Sequence, residues 1–144
     1  MLDKTTLKNR ILVLDGAMGT MIQRYNLTEE DFHKGLPENS HELKGNNECL
    51  NISHPEIIEE IHKEYIAAGA DIIETNTFSA NRISQKEHGT EALAYTLALE
   101  GARIARRVAG SEILVFGSVG PTSKSLSLAP DINNPAERPY SFRD

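Results

Sequence analysis

Apolar and polar positions divide the chain into short unbroken apolar runs and longer stretches that repeat with a helical period. Residues 11–14 (ILVL) are four branched apolar residues in succession. Such a run predicts a strand buried on both faces, because a half-exposed strand would alternate. Residues 70–74 (ADIIE) and 113–116 (ILVF) predict a second and a third strand. The clearest helix lies before the second strand: Ile57, Ile58, Ile61, Tyr65 and Ala68 form one stripe, Ser53 and Glu56 read as a capping box, Pro55 sits in the first turn, and Gly69 ends it. A short helix follows over 79–88, closed by Gly89. Thr90 then caps a longer one, in which Leu93, Leu97, Gly101, Ile104, Ala105 and Val108 keep the period. Residues 3–9 predict one or two further helical turns with Asp3 as cap.

Three strands separated by helices indicate the α/β class, with parallel β-α-β units and right-handed crossovers. The pattern leaves open whether the sheet is open or closed into a barrel, but in either case ligands bind at the C-terminal ends of the strands. Two segments fall outside the pattern. Residues 23–52 show no sustained period and read as a long structured loop pinned by Leu27, Phe32, Leu36, Leu43 and Leu50. Residues 125–144, with Pro130, Pro135 and Pro139, read as a tail loop, and a helix start at 141–144 suggests one domain, 1–144, cut short.

Polar residues collect at each predicted strand end. Asp15 is followed by Gly16, Ala17 and Gly19, which let backbone approach a ligand, and by Thr20, which is placed to cap a helical turn over 21–25. One carboxylate beside several backbone N–H groups suits a zwitterion such as an amino acid. The second strand ends in Glu74, Thr75, Asn76 and Thr77, and the third in GSVGPT (117–122).

Composition narrows the partners. A net charge of −6 argues against a nucleic-acid backbone, no run is long enough to span a membrane, and the N-terminus lacks the apolar core of a signal peptide, which together read as cytoplasmic. The single cysteine, Cys49, excludes an internal disulfide and a multi-thiolate metal site made by this chain alone, and reads as a small apolar residue in a loop. The five histidines, at 33, 41, 54, 62 and 88, lack the i, i+4 spacing of a metal pair and read as polar surface.

The segments LDGAMGTMIQ (14–23), LKGNNECLNIS (43–53), AGADIIETNTF (68–78), GSVGPT (117–122) and SLAPDINNPAERPYSF (127–142) together resemble the homocysteine-binding domain of cobalamin-dependent methionine synthases. The resemblance implies about three βα units from the N-terminal portion of a TIM-type (β/α)8 barrel. It also implies homocysteine as partner, zinc held by three cysteines expected beyond residue 144, and cobalamin- and folate-binding modules in the parent protein. There zinc lowers the thiol pKa, and the thiolate takes a methyl group from methylcobalamin. Carried over by motif, Asp15 with the backbone of Gly16 and Ala17 holds the amino and carboxylate groups, while Glu74, Asn76 and Thr77 line the same mouth, joined by Gly120 with Pro121. Cys49 falls where the family usually has an aliphatic residue. Relatives using betaine or S-methylmethionine share the strand-end Asp-Gly and stand as the alternative. A roughly 250-residue barrel cut after its third unit leaves an open edge, so this chain alone is expected to be inactive, to bind no cofactor and to self-associate through that edge, or to act as a non-catalytic binding fragment. A phosphatase reading of the strand-end Asp is disfavoured, because Ala17 stands where a second acid is required.

Overall fold

The computed structural model describes residues 8–38, 42–122, 124–125, 129, 131–137 and 140. The turns expected over 3–9 and the helix start at 141–144 lie largely or wholly outside these residues. In chain order the elements are α1 (Met18–Gln23), α2 (Glu29–His33), a 3-10 turn (Asn47–Cys49) running into α3 (Leu50–Ser53), α4 (Pro55–Ala67) and β1 (Ile72–Glu74). Then come α5 (Arg82–Gln85), 3-10 turns at Lys86–His88 and Glu91–Leu93, α6 (Ala94–Ala109) and β2 (Leu114–Phe116).

β1 and β2 pair in parallel, with Ile72 opposite Leu114, Ile73 opposite Val115 and Glu74 opposite Phe116. On the other side of β1, Leu14 makes a single parallel bridge to Ile72. The Ile72 N–H donates to Val13 O at 3.1 Å and the Asp15 N–H to Ile72 O at 2.9 Å. All three strand ends therefore point the same way, as parallel β-α-β units require.

The first apolar run departs from expectation. Ile11 is 91% exposed and Val13 and Leu14 are about half exposed, so residues 11–14 are not a doubly buried strand. Burial in a parallel sheet needs cover on both faces and strands on both sides, and this segment has only β1 beside it among the described residues. What holds it is polar: Arg10 pairs with Asp71, whose other carboxylate oxygen accepts from the Val13 N–H at 2.9 Å. β2 is likewise half-buried rather than buried, and Phe116 at its end is exposed.

The core lies on the helical side. Ile58 and Ile61 of α4 join Leu50, Cys49, Leu43, Phe32, Ile22 and Ile104 of α6 in one cluster. Ile73 of β1 packs with Ala105 and Ala109 of α6 in a second, flanked by Ile66, Ile113 and Val115. The aperiodic stretch 23–52 is thus much of the core wall: it contains α2 and the 3-10 turn, buries Phe32, Leu43 and Leu50, and packs Leu27 and Leu36 against them.

Three local expectations are corrected. Ser53 does not cap α4. A residue before proline is pushed out of the α region, and His54, at φ −143° and ψ 59°, takes the cap position with Pro55 as first residue, leaving Ser53 inside α3. Thr90 makes no cap bond; its hydroxyl donates instead to the buried Gln85. His62 is no surface residue. It is fully buried on α4 with neither ring nitrogen hydrogen-bonded among the described residues, and burial pushes its pKa down to about 4.

Candidate functional site

In a parallel ladder the Glu74 N–H of β1 would next seek a backbone carbonyl of the neighbouring segment. Here it donates to Asp15 Oδ2 at 3.0 Å, so the side chain finishes the ladder where the chain turns away into Gly16. The other carboxylate oxygen, Oδ1, is buried and has no partner among the described residues. Burial raises the Asp15 pKa, the Glu74 N–H bond opposes that rise, and the negative charge of Glu74 adds to it. A carboxylate with one oxygen fixed by backbone and one left over is complementary to a cationic hydrogen-bond donor.

That carboxylate lines a cavity of about 440 Å³ at the C-terminal ends of the strands. Of the residues expected at the mouth, Asp15, Gly16, Ala17, Glu74, Asn76 and Thr77 line it, and Thr20, Gly120 and Pro121 do not. The backbone enters the helical conformation three residues earlier than expected, so α1 begins at Met18 with Ala17 at its cap, and Thr20 is an exposed residue inside the helix. Gly120 serves packing: its N–H donates to Phe78 O at 2.9 Å, and a Cβ there would stand 2.5 Å from the Phe78 ring. Gly16 is similarly tight, since a Cβ would come within 3.0 Å of the Tyr65 hydroxyl.

The second strand end is held from behind. Asn76 Nδ2 donates to Asn47 O at 2.8 Å and to Asn51 Oδ1 at 2.9 Å, which occupies both its amide protons. Asn51 Nδ2 donates in return to Asn76 O at 2.8 Å and to Leu97 O at 3.0 Å. This reciprocal pair fits under α6 only because residue 101 is glycine: a Cβ would lie 2.7 Å from Asn51 Nδ2 and from the Thr77 methyl. Across the mouth, Thr75 Oγ1 meets Thr77 Oγ1 at 2.6 Å and accepts from the Ser118 N–H at 3.0 Å, while Thr77 Oγ1 donates to Ser118 O at 2.8 Å. The third strand end is thereby tied to the second.

Sequence reasoning missed Asn47, Glu48, Ser79 and Ser118, which line the cavity, and Asn51 behind it. Glu48 is 5% exposed, and its Oε1 accepts from the Ser79 N–H at 2.7 Å. The available signal was the polar cluster GNNE inside an otherwise aperiodic stretch. None of the residues lining the cavity is Lys, Arg or His.

A family model for homocysteine S-methyltransferases matches residues 12–143. The chain belongs to the homocysteine S-methyltransferase family. Two crystal structures of the homocysteine methyltransferase MmuM from Escherichia coli are similar to it. The metallated form is 25% identical with a TM-score of 0.62, covering 82% of this chain and 41% of that one. The oxidized form is 27% identical with a TM-score of 0.59, covering 80% of this chain and 39% of that one. The chain thus spans about two fifths of the length of these homocysteine methyltransferases, over which they share its fold.

The residues of this family member do not fit a three-thiolate metal centre. Its one cysteine, Cys49, is buried in the core, and burial pushes the thiol pKa up to about 12. Among the described residues no three of His, Cys, Asp and Glu come together to hold a metal ion. No described helix is long and apolar enough to cross a membrane.

Proposed function

We propose that this chain forms the amino-acid end of a homocysteine pocket in an S-methyltransferase that makes methionine. The observation that carries the reading is the Asp15 carboxylate: it lines a cavity together with Gly16 and Ala17, and its buried Oδ1 has no partner among the described residues. In this reading Asp15 Oδ1 takes the α-ammonium, the backbone of Gly16 and Ala17 faces the carboxylate, and Glu74, Asn76 and Thr77 form the wall along which the side chain runs outward. The methyl group then moves from its donor to the sulfur, whose proton is lost, leaving a thioether. Activation of the thiol is assigned to no residue of this chain.

The likeness of segments 43–53 and 127–142 to cobalamin-dependent methionine synthases supports methylcobalamin as donor in a larger protein with folate- and cobalamin-binding modules. A second reading, a donor of the S-methylmethionine or betaine type, is favoured by the acid-lined cavity, whose three carboxylates and lack of cationic side chains suit a sulfonium or quaternary ammonium. Under either reading we take the fold to be the first three βα units of a (β/α)8 barrel. The exposed Ile11, Val13, Phe116 and Val119 support a sheet whose apolar rows pack against further βα units or another copy.

Calorimetry with L-homocysteine on wild type, Asp15→Asn and Asp15→Ala tests the pocket. Asn keeps an oxygen for the Glu74 N–H but loses the charge, so binding falls in both variants while melting temperature falls mainly in Asp15→Ala. Equal affinity in wild type and Asp15→Asn overturns the reading.

A further inference from the structure

Glu48 is the acid in this cavity that the homocysteine reading leaves without a role. It arrives from the 3-10 turn Asn47–Cys49 rather than from a strand end, and it is 5% exposed. One oxygen is spent on the Ser79 N–H at 2.7 Å. No ion pair to a protein cation reaches it among the described residues, and neither of the two cavities it lines has a Lys or Arg in its wall. Histidine enters only the second cavity, as His88, whose Nδ1 is hydrogen-bonded to Glu42 O at 2.8 Å. A carboxylate so far out of water with a single hydrogen bond is costly unless a positive charge comes to it. Asp15 lines the same cavity, and its Oδ1, buried without a partner among the described residues, independently asks for the same kind of ligand group.

We propose that Glu48 is a specificity-determining residue of this cavity, selecting ligands that carry a free cationic amino group over ligands whose amine is blocked. The proposal rests on the amino-acid reading given above and extends it. Ser79 and Glu48 act as one unit: the hydrogen bond fixes the carboxylate's direction, and its charge adds to that of Asp15, so the cavity recognises an amine with two anions from separate segments. A ligand's own carboxylate is repelled by the same charges and is left to backbone N–H groups.

The test is calorimetry on the 144-residue chain with L-homocysteine, L-methionine and N-acetyl-L-methionine, comparing wild type with Glu48→Gln and Glu48→Asp. The amide oxygen of Gln still accepts from the Ser79 N–H, so melting temperature holds. Affinity for the two free amines falls about tenfold or more, the scale of a lost charge-assisted contact, and affinity for the acetylated ligand is unchanged. Glu48→Asp keeps the charge and retains the preference, which decides the matter should the Gln variant fail to fold. Loss of the preference in a folded Glu48→Asp, or an unchanged ratio of amine to acetylated affinity in a folded Glu48→Gln, overturns the proposal. Glu48-dependent binding of methionine without binding of homocysteine sinks the homocysteine reading and leaves this one standing. No binding of any free amine to wild type overturns both.

Discussion

Ile58 and Ile11 carry the same side chain into opposite surroundings. Ile58, on α4, is fully buried with Leu50 and Ile104, whereas Ile11, beside β1, is 91% exposed. The difference follows from what lies across from each. α4 meets α6 and the 42–53 segment, so Ile57, Ile58 and Ile61 on its stripe find cover. The sheet has only three short segments side by side, and its outer rows face nothing within the described residues. The helical half, with the buried Ile72 and Ile73 of β1, therefore carries the core, and the flanking segments 11–14 and β2 serve chiefly to aim their polar ends.

The sharpest way to break this comparison is to truncate both sides. Ile58→Ala should cost about 2–5 kcal/mol, as large-to-small changes in a full core do, while Ile11→Ala stays within about 0.5 kcal/mol. Urea denaturation measures both, and comparable losses would dissolve the distinction. Acid provides the next largest effect, again on the helical side. His62 has its pKa lowered in the folded state to about 4 from an ordinary 6.5. As pH drops below 6.5 the unfolded chain takes up the proton first, so stability is complete above that value and declines until the folded state also protonates near 4. At about 1.4 kcal/mol per pKa unit the full loss is about 3 kcal/mol. A His62→Leu variant should flatten the urea midpoint between pH 7 and 4, and an unchanged slope would assign the acid sensitivity elsewhere.

Gly101→Ala probes the seam where the two halves meet. Its Cβ would press on Asn51 and Thr77, and overpacking of this kind costs about 1–3 kcal/mol. The site should feel it too, with homocysteine binding weakened beyond what Gly69→Ala, at a helix end with φ +103° and open space around it, produces. The smallest effect is expected at the outer edge. Asp71→Asn loosens the Arg10 pairing and the acceptor for Val13 N–H, so hydrogen exchange at Val13 speeds up while the global midpoint barely moves.

How much of this was legible from residues alone varies with the range of the interaction. The α4 and α6 stripes were readable because a helical period is a local signal, and Asp15 because a carboxylate closing an apolar run is conspicuous. Ser53 misled, since proline two residues later shifts the cap to His54. The run 11–14 misled because apolarity records what a strand could bury and not whether a neighbour is present. The cluster GNNE marked Glu48 only as polar, and the partners of Asn51 and Glu48 were not readable: the first finds Asn76 25 positions away, the second finds Ser79 31 positions away, and no periodicity encodes such partnerships. His62 sits on α4 next to Ile61 and was misread as polar surface because spacing marks metal pairs and says nothing of a lone buried imidazole.

The two threonine hydroxyls and the Ser118 backbone at the strand tips leave one option for each hydrogen. Ser118 O can only accept, so the Thr77 proton is committed to it, and the Thr75 proton must then go to Thr77, since the Ser118 N–H already occupies Thr75 as a donor. The Thr77 hydroxyl consequently has only one lone pair left to turn toward any guest. It can welcome an N–H or a polarised C–H and cannot solvate an anion, which steers the negative end of an incoming molecule away from this side of the opening.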